Sequence, residues 1–551
     1  MNVSFGTVWE GVARALPHTV ALCEPDREFT YAQFENRAAR LAAALAGAGV
    51  GPGDKVACYL YNGAAYLETV FAAFKLGAVP VNVNYRYGQD ELTSLLVDAD
   101  AAALVFSGSL AGQVTHAARH VPGLRLLVRA GQAPAGTPGP DDAPEYEELL
   151  AATAPRPAEP RPATDRLFMY TGGTTGRPKG VIWQLSDLLH CLTVPIFQPV
   201  GADTPPADLA EAVRIAESAH HRGLSPTTMP AVPLMHATGL FNSMGALLTG
   251  GRVVTARPGR LDAAHIWRTV ADRHVGLLIV AGNAVCRPLV DGLLAAEHAD
   301  SPYDLASLRQ ILSSGTALSD DLKRALHERT DVTITDAIAA SEGGPVAFAR
   351  TASTADLPAR FFPVPATKVL HEDGTEVVPG SGEAGVLAYS GPMPLGYHKA
   401  RPEQSATVFR TVGGVRHAIP GDLAVVEADG SLRFLGRGSG VVNTGGEKVH
   451  PQEVEEVLLA HPAITDAAIV GVPDDTWGER VAAVVATDDP ATLAEQEVRD
   501  WVRASLAGYK VPRTVVVLRR LPRTPTGKLE VAWARRTVEA HVADRSGRRD
   551  G

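Results

Sequence analysis

Residues 170–180 read Tyr-Thr-Gly-Gly-Thr-Thr-Gly-Arg-Pro-Lys-Gly and follow a short apolar run at 167–170. Gly172, Gly173 and Gly176 permit positive φ and a close approach of backbone to ligand. The hydroxyls of Thr171, Thr174 and Thr175, with successive backbone N–H groups, can donate to phosphate oxygens, and Lys179 adds positive charge. The lysine follows a proline and the glycine spacing differs from the Walker pattern, so this is a phosphate loop of another kind. A flexible Gly/Thr linker is the plainer reading of such a stretch. The density of hydroxyls and the Pro-Lys-Gly ending speak against it.

Later segments carry chemistry-bearing residues in a fixed order. They are Pro233-Leu-Met-His236, Ser313-Ser-Gly-Thr-Ala317, Asp336-Ala-Ile-Ala-Ala-Ser-Glu342, Pro420-Gly-Asp422, a Gly-rich stretch from Gly436 to Glu455, and Leu521-Pro-Arg-Thr-Pro-Thr-Gly-Lys528. With the phosphate loop, they strongly resemble the adenylate-forming superfamily of acyl-CoA synthetases, luciferases and adenylation domains, over nearly the whole chain. The resemblance implies two half-reactions. A carboxylate attacks the α-phosphate of ATP to give acyl-AMP, and the thiol of coenzyme A then takes the acyl group. No covalent enzyme intermediate is needed.

The same resemblance assigns roles. Catalysis would rest on Lys528, His236, Glu342 and Thr175, with Lys528 bridging carboxylate and α-phosphate. Glu342 would ligate Mg²⁺ through oxygen, and Ser341 would contact the α-phosphate. The nucleotide would lie against Thr171 to Gly176, Lys179, Ser314, Gly315, Thr316, Asp336, Ala337 and Ile338, with Asp336 accepting from the adenine amino group. Asp422 and Arg437 would hold the ribose. Ser439 would be the hinge of a domain swing, and Gly445 and Gly446 would line a pantetheine tunnel. Trp477, Tyr509, Lys510 and Arg513 would take the coenzyme A nucleotide, the two cations serving its 3′-phosphate. Two departures stand out. Ile338 replaces an aromatic that stacks on adenine, and Ala339 replaces a glycine. They raise the option of a chain specialised in the second half-reaction, taking acyl-AMP to the thioester. Transfer to a carrier protein and non-catalytic nucleotide binding also stay open. The phosphate loop, Asn82-Val-Asn-Tyr-Arg-Tyr87 and Asn443-Thr-Gly-Gly-Glu-Lys448 look most like actinobacterial ligases of steroid side-chain acids, which implies a bulky, polycyclic or terpenoid-like acid.

The elements that must position these residues follow an α/β pattern. Thr30 to Gln33 reads as a capping box opening a helix to about residue 46, and strand-like runs at 56–60 and 79–83 flank a helix at 64–75. Such strand–helix–strand repeats predict a parallel sheet covered on both faces. Residues 131–164, rich in Pro, Ala and Gly, read as a surface excursion and not a core element. Short strands at 385–389, 423–427 and 432–435 predict a β-rich subdomain. From about 440 the pattern resets to a small α+β unit, with a helix at 451–460 and strands at 467–472, 481–486 and 515–518. The expected organisation is a body at 1–436, a hinge at 437–440 and a mobile cap at 441–551.

The 551-residue chain carries 51 Lys plus Arg against 61 Asp plus Glu, a net charge of −10, which disfavours a sequence-independent nucleic-acid binder. Anionic ligands must therefore be held by local clusters. Four scattered cysteines fit neither a disulfide scaffold nor a zinc site. No signal peptide and no integral membrane segment are visible, so a cytoplasmic location is expected. A homodimer is left open.

Overall fold

The computed structural model describes residues 4–547 apart from 135, 138, 141, 173–177, 193–195, 260, 316, 317, 438, 439, 441, 450 and 523–530. The capping box forms as the sequence predicts. Thr30 accepts from the Gln33 backbone and Gln33 accepts from that of Thr30, opening the helix Tyr31–Gly47. The helix Ala64–Leu76 stops at Gly77, whose φ of +67° only glycine takes up easily. These two helices, with Phe5–Ala15 and Ala237–Leu248, share one apolar cluster with the inward faces of two large sheets. Trp9 is fully buried at its centre, with ring centroids 5.3, 4.5 and 4.6 Å from Tyr31, Phe34 and Phe71.

The first sheet has nine strands. Parallel neighbours run Val20–Cys23, Arg252–Val254, Thr227–Pro230, Leu277–Val280, Gln310–Ser314 and Thr333–Ala340, with antiparallel edges at either end. The second has seven, its parallel core formed by Leu126–Ala130, Ala101–Ser107, Lys55–Tyr59, Val79–Asn82 and Arg166–Gly172. The hairpin Arg166–Gly172 to Pro178–Gln184 extends that sheet on one side, where Gly396–Tyr397 forms the edge. Separate clusters around Leu95 and Val114, and around Trp267 and Leu322, cover the outer faces. The result is the five-layer α/β arrangement that burial of a parallel sheet on both faces demands.

A third, antiparallel sheet of six strands spans residues 367–437. The last unit joins Glu447–Val449, Val442–Thr444, Gly478–Ala486, Asp466–Asp474 and Thr514–Leu518. Helices Pro451–Leu459 and Glu495–Ser505 cover one face, and Val531–Gly547 packs on the other. One expectation is corrected. The stretch 131–164 holds a helix, Tyr146–Ala152, which buries Tyr146 and Leu150 one turn apart. Tyr146 donates to Glu68 at 2.6 Å, and Glu68 is also paired with Arg37 at 2.6 Å. The surrounding Pro/Ala/Gly composition conceals an i, i+4 apolar pair that docks on the helix Tyr31–Gly47.

Candidate active site

Two asparagines fix the turn that carries His236. Asn62 donates to the carbonyls of Pro230 (3.3 Å) and Val232 (2.9 Å) and accepts from the Leu234 amide (2.7 Å). Asn82 accepts from the Tyr170 amide (2.6 Å) and donates to the carbonyls of Tyr170 (3.0 Å) and Met235 (2.7 Å). One side chain thus ties the phosphate hairpin of the second sheet to the His236 turn of the first. Gly239 is obligatory behind that turn, because a Cβ there would stand 2.6 Å from the Pro233 carbonyl oxygen. His236 caps the helix Ala237–Leu248 and is partly exposed.

Thr171 and Lys179 face each other in the register of the hairpin, flanking the phosphate loop. Burial lowers the Lys179 pKa, which the charge of Glu342 partly offsets. Glu342 is buried, and its Oε1 accepts from the Tyr397 hydroxyl at 3.0 Å. Its Oε2 is also buried, without a hydrogen-bond partner among the described residues. An orphaned carboxylate oxygen beside a phosphate hairpin suits a hard cation with oxygen ligands. The indole of Trp183 donates to the Ser341 carbonyl at 3.0 Å, fixing the turn before Glu342. Ser314 donates to the Ala337 carbonyl at 3.1 Å, and Gly315 follows with φ +96°. Asp422 is buried and stands opposite Arg437 in the register of two adjacent strands.

Two residues expected at the nucleotide lie on the strand Thr333–Ala340. Successive residues of a strand face opposite sides. Ala337 and Ala339 line the cavity, whereas Asp336 and Ile338 do not. Asp336 is buried and forms an internal ion pair with Lys323, with Nζ 3.2 Å from Oδ2. Burial raises its pKa, against the opposing pull of Lys323. Ile338 packs on the apolar cluster of Val346, Tyr389 and Leu432.

The small C-terminal unit meets this site through residues that sequence reasoning missed. Glu447 is only 7 % exposed, and its Oε1 lies 3.3 Å from His236 Nε2 and 3.2 Å from Arg86 Nη1. Asn84 donates to Oε2 at 3.4 Å. Burial pushes the Glu447 pKa up, but His236, Arg86 and Lys510 overcome it and hold the carboxyl below its ordinary value. The available signal was a charged residue directly after Gly445-Gly446, and a polar Asn-Tyr-Arg directly after an apolar strand. Both glycines have positive φ, +58° and +84°. A Cβ on Gly445 would stand 2.4 Å from the Trp477 ring, and one on Gly446 would reach Ala281 at 3.8 Å. The Arg513 guanidinium lies over Trp477, 4.7 Å from the ring centroid. Tyr509 lines the same cavity. Lys510, expected at the 3′-phosphate, stands in an internal ion-pair cluster. Its side chain is 4 % exposed, and its ammonium contacts Glu453 at 2.6 Å and Glu91 at 2.7 Å. Gly173, Thr174, Thr175, Gly176, Thr316, Ser439 and Lys528 lie outside the described residues.

These parts enclose one cavity of about 920 Å³. It extends from Thr171, Ser341 and Gly344 past His236 to Glu447, Trp477 and Tyr509. Apolar walls come from Trp183, Leu188, Cys191, Phe241 and Phe348. The AMP-binding enzyme family matches residues 9–398, and the AMP-binding enzyme C-terminal domain matches residues 453–528.

The chain belongs to the AMP-binding enzyme family.

It is 37 % identical over 549 residues to a 3-oxocholest-4-en-26-oate–CoA ligase of Rhodococcus rhodochrous, covering 99 % of this chain and 97 % of that protein. It is also 37 % identical to a medium/long-chain-fatty-acid–CoA/3-oxocholest-4-en-26-oate–CoA ligase of Mycolicibacterium smegmatis, covering 99 % and 98 %. Among solved structures, an amide bond synthetase from Marinactinospora thermotolerans superimposes with a TM-score of 0.78 at 24 % identity, covering 97 % and 99 %, and shares the fold. Within this family fold, no helix among the described residues is long and apolar enough to cross a membrane.

Proposed function

We propose that this protein is an AMP-forming acyl-CoA ligase for a bulky, apolar, polycyclic carboxylic acid. The observation that carries this reading is the seating of Gly445-Gly446-Glu447 on His236, 3.3 Å from carboxylate to imidazole. Two glycines without side chains bring a slim polar wall to the acyl end of a large apolar cavity. A thin pantetheine arm needs such a passage to reach an acyl group lying beside His236. The steroid-acid ligases similar to this chain over nearly its full length support the same acid class.

The residues divide the work by charge. Thr171, Lys179 and the loop between them would cradle the phosphates of ATP, and Asp422 with Arg437 would hold the ribose. Glu342 would hold Mg²⁺ through its unpartnered oxygen, and that ion would neutralise phosphate charge. Two anions must approach during adenylation, so preorganised positive charge lowers the barrier. Lys528 would supply part of it, with Thr175 donating from the loop. The cap at 441–551 would then turn about residues 437–440 into the arrangement described above. There Glu447 orients His236 beside the acyl carbonyl. Trp477 with Arg513 would hold the coenzyme A nucleotide, and Tyr509 would line its approach.

Restriction to the second half-reaction is not favoured by the relatives. A carrier-protein acceptor and a non-catalytic role are likewise not favoured. The test is incubation of the purified protein with ATP, Mg²⁺, coenzyme A and a panel of acids. The panel runs from medium-chain fatty acids to 3-oxocholest-4-en-26-oate, with mass spectrometry of thioester and AMP. We expect stoichiometric AMP and thioester, fastest with polycyclic acids. Preference for short or aromatic acids would overturn the substrate class, and AMP without a CoA thioester would overturn the acceptor.

A further inference from the structure

The Lys510 ammonium sits where two units of the chain meet. Glu453 belongs to the same C-terminal unit as the lysine, at 2.6 Å, whereas Glu91 belongs to the N-terminal body, at 2.7 Å. Glu91 is held ready for this contact. It lies in the first turn of the helix Gln89–Asp98, and its second oxygen accepts from the Gly88 amide at 3.1 Å. The carboxylate is therefore already oriented before the lysine arrives. The rings of Tyr87 and Tyr509 flank the ammonium at 5.4 and 5.7 Å, shielding it from water.

A second charged contact runs in the opposite sense. Arg86 of the body meets Glu447 of the C-terminal unit at 3.2 Å. A cation and an anion five residues apart on the body thus meet an anion and a cation on the partner unit. This reciprocal pattern matches one docked register, since a displaced register brings like charges together. The Lys510–Glu453 pair needs no docking to form. Only the Glu91 contact depends on it.

From this arrangement we infer that Glu91 and Lys510 form an interdomain latch that holds the C-terminal unit in the orientation used for thioester formation, and not during adenylation. Glu91 is a positioning residue, since it acts through the seating of the Gly445–Glu447 loop. The inference rests on the ligase reading above.

The test uses E91Q in the full-length protein, which keeps shape and removes charge. Pyrophosphate release reads the first half-reaction, and single-turnover thioester formation from preformed acyl-AMP reads the second. A spin-label distance between introduced cysteines at Arg119 and Ala504, both exposed and on opposite sides of the contact, reads docking without any substrate. The native cysteines are buried and will not interfere. We expect pyrophosphate release within twofold of wild type, thioester formation about tenfold slower, and a longer, broader distance distribution; loss of one charge-assisted hydrogen bond is of this size. K510R, which keeps the charge, should restore most of the docked distance relative to K510M. Unchanged distances and rates would overturn the latch. So would an equal fall in both half-reactions, which marks a structural role, or an altered distance with an unaltered thioester rate. If the wild-type protein adenylates no acid, the ligase reading fails by itself, and the distance measurement still decides the latch.

Discussion

Substituting Gly445 by alanine tests the thioester arrangement most directly. The backbone there has φ +58°, a conformation that costs an L-residue about 1–2 kcal/mol. The new methyl carbon would stand 2.4 Å from Trp477 Cε3 and 2.7 Å from Cζ3, far inside van der Waals contact. Relieving that overlap must displace the indole or the loop, and such overpacking costs about 1–3 kcal/mol. Together these come to about 2–5 kcal/mol against the seated loop. At about 1.4 kcal/mol per tenfold, thioester formation from acyl-AMP should fall at least about 30-fold and up to about 1000-fold or more. Under the proposed mechanism adenylation does not use this loop and should change little. Rapid-quench measurement of each half-reaction, with a melting curve to exclude global unfolding, gives the comparison. An intact thioester rate, or an equal loss in both steps, would refute the assignment of Gly445 to the channel wall.

Three further outcomes follow. E342Q should reduce pyrophosphate release about 100-fold and weaken its dependence on added Mg²⁺, read from metal titrations, because the buried unpartnered oxygen is replaced by a neutral amide. K323M should lower stability by about 3–5 kcal/mol in urea titrations, because it strands the buried Asp336 carboxylate. Glu447 has a lowered folded-state pKa, so its contribution is fully present above its unfolded value of about 4.3 and is lost as pH falls through the lower folded value. Acid unfolding of E447Q should therefore show a shallower loss of stability below about pH 4.3 than wild type, and a parallel curve would exclude the effect.

Much of the framework could be read from local sequence. The capping box at Thr30, the glycine stop at Gly77 and the reset near residue 440 each follow from short-range chemistry. His236, Gly445, Gly446 and Trp477 are singled out by motif spacing, and the structure places these four around one cavity, with Glu342 directly after Ser341 of its lining. What escaped depends on which face of an element turns inward. Asp336 sits in a motif that suggests an adenine site, but its ion pair with Lys323 and the packing of Ile338 on a neighbouring apolar cluster appear only in three dimensions. Lys510 reads as a cation for the coenzyme A 3′-phosphate until Glu91, over four hundred positions away, is placed beside it. Glu447 gains meaning only when His236 and Arg86 converge on it. Asn62 stands in no motif, and the Asn82–Tyr87 segment gives no hint of what Asn82 does, because the work of both is to satisfy backbone groups of distant turns.

Asn82 has one more implication. A single amide grips the phosphate hairpin and the His236 turn together, so neither backbone can shift without the other. A larger acid cannot then be admitted by moving that turn outward, since the same motion would misplace the phosphates. Room must come from trimming side chains on the walls. Gly344 shows how little slack remains there, for a methyl carbon at that position would fall 2.0 Å from the Cys191 sulfur. Selectivity among acids in this scaffold is therefore a matter of side-chain volume at fixed backbone, and changes of substrate should be reachable through one or two substitutions facing the cavity.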